Sequence, residues 1–129
     1  LQKDKAETVA AAIENQMGLF LSPWFRFYLM YDPPTALMKV RCPVLAVNGE
    51  KDIQVPAREN LEAIRQALEL GGNRDYTILT LPNLNHLFQT AKTGAFSEYD
   101  QIQETISVLA LDTISNWILE HASSSLCNL

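Results

Sequence analysis

The stretch Val44-Leu45-Ala46-Val47-Asn48-Gly49-Glu50-Lys51-Asp52 decides the fold, because an apolar strand runs directly into a turn that ends in an acid. A second strand is predicted over residues 76–81, and it runs into Pro82-Asn83-Leu84-Asn85-His86. The amphipathic run between them, residues 56–68, predicts a helix, so the unit is strand, helix and parallel strand. Both strands of such a unit end at the same edge of the sheet, where open α/β sheets hold their ligands. We therefore expect Asp52 and His86 to lie side by side, as an orienting carboxylate and a general base do.

The composition is that of one globular α/β domain. Of 129 residues, 47% are hydrophobic and 19% are charged, which excludes a disordered or fibrous class. Ten basic and fifteen acidic side chains give a net charge of -5, and the basic residues are scattered, so nucleic acid is not an expected partner. The longest apolar runs, such as residues 17–21, are far shorter than the roughly 18 residues of a membrane span. No membrane span is expected.

The two cysteines do not form a disulfide framework. Cys42 is predicted to begin a buried strand and Cys127 lies in a serine-rich tail, so we expect two free thiols. The chain begins with Leu1 rather than Met, and we expect it to be part of a longer protein. Its compartment is left open for the same reason.

The segments before the first strand are predicted to be helical. An apolar stripe predicts a helix over residues 3–19. Ser22-Pro23 predicts the N-cap and first position of a short helix that ends before Asp32-Pro33-Pro34. Five aromatic residues in this short helix and just after it could line an acyl pocket under a lid, or they could be core residues: Trp24, Phe25, Phe27, Tyr28 and Tyr31.

The segments after the central helix are a turn, a strand, a loop and a last helix. Gly71-Gly72-Asn73 predicts the end of the central helix, and residues 88–103 predict a long polar loop that could contain a helical turn. A last helix over residues 105–121 is expected to turn its apolar side chains toward the sheet: Ile106, Leu109, Leu111, Ile114, Trp117 and Ile118. The chain is thus divided into a helical lid or connector (1–39), an α/β core (40–121) and a tail (122–129).

Asp52 and His86 each have an ordinary structural explanation. Asp52 could cap the helix that follows it, and His86 could be a half-buried packing residue between Leu84 and Leu87. The pair is more specific, because an acid and then a histidine after successive strands is the order that a hydrolytic triad needs after its nucleophile. No metal or cofactor site is predicted, since His86 and His121 are far apart in the sequence and the acids show no ligand spacing.

A family resemblance rests on the residues around this pair. Residues 42–52 with Val55-Pro56, and then Leu84-Asn85-His86-Leu87-Phe88-Gln89, resemble the C-terminal half of bacterial α/β-hydrolases of the serine esterase and serine aminopeptidase-like group. Residues 22–27 and Tyr31-Asp32-Pro33 resemble the segment that precedes the penultimate strand of those enzymes. The resemblance implies the C-terminal part of an α/β-hydrolase fold, with Asp52 as the triad acid and His86 as the triad base.

The nucleophile of that family is missing from the sequence. It stands in a G-x-S-x-G motif upstream of the acid, and no such motif occurs in these 129 residues. None of the serines follows a predicted strand: Ser22, Ser97, Ser107, Ser115, Ser123, Ser124 and Ser125. We therefore expect the chain to supply two members of the triad to a longer serine hydrolase of small carboxylic esters, and to be inactive by itself.

Two other functions stay open, and a partner is expected at the sheet edge. The chain could be a non-catalytic α/β interaction or regulatory module, or part of a peptidase or thioesterase of the same fold. Only two strands are predicted, so one edge of Val44-Leu45-Ala46-Val47-Asn48 is left open. We expect a homodimer in which this strand pairs antiparallel with its own copy, with the helix over residues 3–19 as the competing cover.

Overall fold

The structure is a computed structural model that describes residues 17–18 and 20–126, with side chains described up to residue 122. The chain forms two compact units, Leu1–Pro33 and Pro34–Leu129. The predicted division into 1–39, 40–121 and 122–129 stays a prediction. Most of the predicted helix over residues 3–19, and Cys127, lie outside the described residues.

The first unit contains helix α1, Pro23–Met30. It begins as predicted, because the Ser22 hydroxyl accepts a hydrogen bond from the Phe25 amide at 3.2 Å and proline occupies the first turn. None of the residues of α1 is buried, so the interpretation of its aromatic residues as core is wrong for the described structure. The rings pack on one another instead, with Trp24 and Tyr28 stacked at a centroid distance of 5.8 Å.

From Pro33 onward the chain alternates helices and strands. The elements are α2 (Pro33–Leu37), β1 (Val44–Gly49), α3 (Ala57–Leu70), β2 (Tyr76–Leu81), a 3-10 helix (Phe96–Gln101) and α4 (Val108–Leu126). Pro33 and Pro34 open α2, since the first turn of a helix needs no donor from proline. None of the helices in the described part of the chain is long and apolar enough to cross a membrane.

Strands β1 and β2 pair in parallel and form a two-stranded sheet. The register places Val44 opposite Tyr76 and Gly49 opposite Leu81. The fold is therefore mixed helix and strand with a small parallel sheet, as the α/β prediction required. The prediction that Cys42 begins a buried strand is wrong, because Cys42 is exposed and precedes β1.

Helix α3 connects the two strands and ends in a left-handed turn. Gly72 has φ 82°, a region that a residue without a β-carbon occupies without strain. The buried side chain of Asn73 then donates to the Cys42 carbonyl at 3.0 Å and accepts from the Asp75 amide at 2.9 Å. This residue fixes the turn at the amino edge of the sheet, opposite the edge where the strands end.

Helix α4 packs on the sheet through a small residue. Ala110 is fully buried against Leu81 and Leu84, and the Trp117 ring donates to the Thr77 hydroxyl at 3.0 Å. Ile114 and Trp117 are partly buried as predicted. The prediction that the other four apolar side chains face the sheet was wrong, because all four are exposed: Ile106 (42%), Leu109 (43%), Leu111 (48%) and Ile118 (53%). The sequence carries two apolar stripes on this helix, and the buried one contains the small Ala110.

Candidate catalytic site at the carboxyl edge of the sheet

Two loops meet at the carboxyl edge of the sheet. The acid loop, residues 50–56, follows β1, and the histidine loop, residues 82–91, follows β2. The Lys51 amide donates to the Leu84 carbonyl at 2.9 Å, and the Lys51 ammonium donates to the Ala91 carbonyl at 2.9 Å. The Glu50 carboxylate accepts from the Asn83 amide at 2.9 Å. The two loops are therefore joined by both backbone and side-chain hydrogen bonds.

Asp52 and His86 lie in direct contact, as the parallel strands predicted. The distance between His86 Nδ1 and Asp52 Oδ2 is 2.9 Å. An ionised carboxylate only accepts hydrogen bonds, so Nδ1 carries the hydrogen and Nε2 of the neutral ring has a free lone pair. Within the described part of the chain, Nε2 has no hydrogen-bond partner, and the side chain is 37% exposed. The ring can therefore take a proton from a group that approaches from solvent.

Hydrogen bonds from several directions hold the Asp52 carboxylate. Its Oδ1 accepts from the amides of Gln54 and Val55, both at 2.9 Å. Its Oδ2 accepts from the Asn48 amide group at 3.3 Å in addition to His86. The side chain is only 5% exposed.

These bonds keep the carboxylate ionised despite its burial. Burial raises the pKa of Asp52, but the hydrogen bonds from Val55, His86 and Gln54 outweigh it, so the pKa lies below its ordinary value.

The ordinary explanation of Asp52 as a helix cap is wrong. The N-cap of α3 is Pro56, and no side chain caps that helix. Asp52 instead closes the turn that precedes the helix by accepting from the amides two and three residues further on. The catalytic roles of Asp52 and His86 stay predictions, whereas their contact is a property of the structure.

Three neighbouring polar residues received no role in the sequence analysis. Asn48 donates to Asp52, and Asn85 and Gln89 are buried in the histidine loop. The sequence shows that these polar side chains would need partners if they were buried, but it does not show that they are buried or which groups they bind.

Three serines of the second unit whose side chains are described do not complete the site. Ser97 lies in the 3-10 helix, the Ser107 hydroxyl accepts from the Leu109 amide at 3.3 Å, and the Ser115 hydroxyl donates to the Leu111 carbonyl. None of these three hydroxyls hydrogen-bonds to His86. Among the described residues, no three histidine, cysteine or acidic side chains come together in an arrangement that could hold a metal ion.

Comparison with known proteins gives no relative for this chain: no family model, no curated protein and no solved structure matches it. Its function is therefore inferred from the geometry of the site.

Proposed function

We propose that the chain is the C-terminal part of a serine hydrolase that acts on small carboxylic esters. Asp52 and His86 would be its triad acid and base, and the serine nucleophile would lie upstream. The observation that carries this proposal is the 2.9 Å contact between His86 Nδ1 and Asp52 Oδ2 at the carboxyl edge of a parallel sheet, with Nε2 directed away from the carboxylate.

The chemistry follows from this arrangement. His86 Nε2 takes the hydroxyl proton of the serine as its oxygen attacks the ester carbonyl carbon, and Asp52 stabilises the imidazolium that forms. His86 then gives this proton to the leaving alkoxide, so that the alcohol departs and an acyl-serine remains. A water molecule, deprotonated by His86 in the same way, then attacks the acyl carbon, and His86 returns the proton to the serine oxygen as the carboxylic acid leaves. General acid–base catalysis of this kind contributes on the order of 10²–10⁴-fold to the rate.

The burial of Asp52 supports catalysis over a non-catalytic interaction module. Removing a carboxylate from water has a large desolvation cost. A surface that only binds a partner does not require a buried charge of this kind. Here the charge is buried, surrounded by donors and aimed at a half-exposed imidazole. A peptidase or a thioesterase would use the same pair, so the choice of an ester rests on the family resemblance alone.

We also propose that a second copy of the chain covers the open edge of β1. Within the described residues, β1 pairs with β2 on one side only. An antiparallel pair of β1 strands across a two-fold axis would satisfy the outward backbone groups of both copies.

The test of the hydrolase proposal compares the 129-residue chain with the full-length protein. The full-length protein should carry a G-x-S-x-G motif after an upstream strand, hydrolyse an activated ester, and react with a serine-directed phosphonate. The chain alone should show neither reaction above the buffer rate. Robust hydrolysis by the chain alone, or an inert full-length protein, would overturn the proposal.

A further inference from the structure

Asn85 precedes His86 and is fully buried, yet the proton transfer does not use it. Its Oδ1 accepts from the Leu87 amide at 2.9 Å and from the Gln89 amide at 3.0 Å. Its Nδ2 donates to Gln89 Oε1 at 3.0 Å. The side chain of Asn85 thus binds the backbone just after His86, while the backbone of Asn85 directly precedes His86.

Gln89 extends this arrangement to the segment before α4. It is 8% exposed, and its Nε2 donates to the Glu104 carbonyl at 2.9 Å. Its carbonyl accepts from the Asn85 amide at 2.9 Å, so the two residues are joined through both backbone and side chain. Between them Phe88 is held at φ 57°, a conformation that residues other than glycine adopt only when their surroundings enforce it.

A purely structural role is the competing explanation, because any buried amide needs partners. Asn73 shows what such a role looks like: it is 4% exposed and also makes hydrogen bonds to backbone groups. Its partners lie at the amino edge of the sheet, away from His86. The partners of the Asn85 side chain instead lie within the histidine loop, at Leu87 and Gln89, directly after the imidazole-bearing residue.

We propose that Asn85 is a positioning residue that fixes the backbone of His86 and so holds the imidazole against Asp52. Its importance for catalysis rests on the proposed function of His86 as the general base. The placement of the ring does not rest on it, because the contact between His86 and Asp52 exists in the 129-residue chain itself.

The test is nuclear magnetic resonance of the His86 ring in the 129-residue chain, with Asn85→Ala compared with Asn73→Ala. Both substitutions remove a buried amide and should lower the melting temperature. In the wild type, Asp52 should protect the Nδ1 proton of His86 from exchange, so that its resonance is observed. This signal should be lost to solvent exchange in Asn85→Ala but not in Asn73→Ala. Asn85→Asp, which can still accept from Leu87 and Gln89, should retain the signal better than Asn85→Ala.

Two results would overturn the proposal. One is a wild-type Nδ1 proton signal in folded Asn85→Ala, and the other is an equal loss of that signal in Asn73→Ala. If Asn85→Ala does not fold, Gln89→Met decides the question, since it removes the partner of Asn85 Nδ2 and should also weaken the signal. In an active full-length protein, Asn85→Ala should lower kcat and leave KM unchanged. Failure of the proposed hydrolase function would appear as absent ester hydrolysis with the His86 signals intact.

Discussion

Gly49 and Leu84 are in such close backbone contact that no side chain fits between them. A β-carbon on Gly49 would overlap the Leu84 carbonyl and lie 2.6 Å from the carbonyl oxygen of Asn85. The last residue of β1 thus touches the two residues that precede His86. Glycine at this position is required by space, because it lets the acid loop and the histidine loop approach closely enough for Asp52 to reach the imidazole.

Gly49→Ala should therefore separate the two loops. We expect a loss of about 1–3 kcal/mol in the free energy of unfolding, the usual cost of overpacking. The Nδ1 proton of His86 should also lose its protection. Gly72→Ala is the matched control: its φ of 82° makes an alanine strained, but nothing lies within 4 Å of the added β-carbon. A control that disturbs His86 as much as Gly49→Ala does would contradict this explanation.

Replacing His86 tests directly whether it is the general base that we propose. In the full-length protein, His86→Ala should lower kcat by several orders of magnitude, as removal of a triad base does. His121→Ala is the control, because His121 is the other histidine of the chain and contacts Trp117 and Asp75 rather than Asp52. Steady-state hydrolysis of an activated ester measures both. Full activity of His86→Ala would contradict the assignment.

Asp52 should make the stability of the fold depend on pH in the acid range. Its pKa is lowered from 3.8 in the folded chain because the hydrogen bonds outweigh the effect of burial. A carboxyl group with a lowered pKa contributes stability above its unfolded pKa, and this contribution is lost as the pH falls through the folded pKa. Asp52→Asn should cost roughly 1–3 kcal/mol near neutral pH. The difference from the wild type should shrink below about pH 5 in urea unfolding. A constant difference down to pH 2 would contradict this account.

The sequence was sufficient for the parts of the fold that rest on strong local patterns. The apolar run of β1, the amphipathic period of α3 and the strand β2 predicted the parallel pair, and the parallel pair predicted the contact of Asp52 with His86. The sequence could not show which face of α4 packs on the sheet. The helix has two apolar stripes, and the buried one contains Ala110 rather than a large residue. The role of Asn85 could not be predicted either, since its partners lie two and four residues away in an irregular loop.

The proposed dimer can be tested with a proline that faces the open edge. The Val44 amide donates to the Asp75 carbonyl, and the Glu50 amide donates to the Leu81 carbonyl. In a parallel pair this pattern alternates, so the backbone amides of the even-numbered residues of β1 point toward β2. The amide of Leu45 therefore faces the open edge. Leu45→Pro should remove an outward donor and lower the dimer fraction measured by light scattering, whereas Ala46→Pro would break the sheet itself. A wild-type chain that stays monomeric at all concentrations, or a folded Leu45→Pro that dimerises normally, would contradict this interface.

The cross-links between the acid loop and the histidine loop also determine how the site moves. Opening the histidine loop would break the bonds from Lys51 to Leu84 and Ala91 as well as the bond from Asn83 to Glu50. Because opening either loop breaks these bonds, we expect the amide hydrogens of both to exchange with solvent in one cooperative event. Residues that belong to two separate loops in the sequence would then behave as a single rigid part of the molecule.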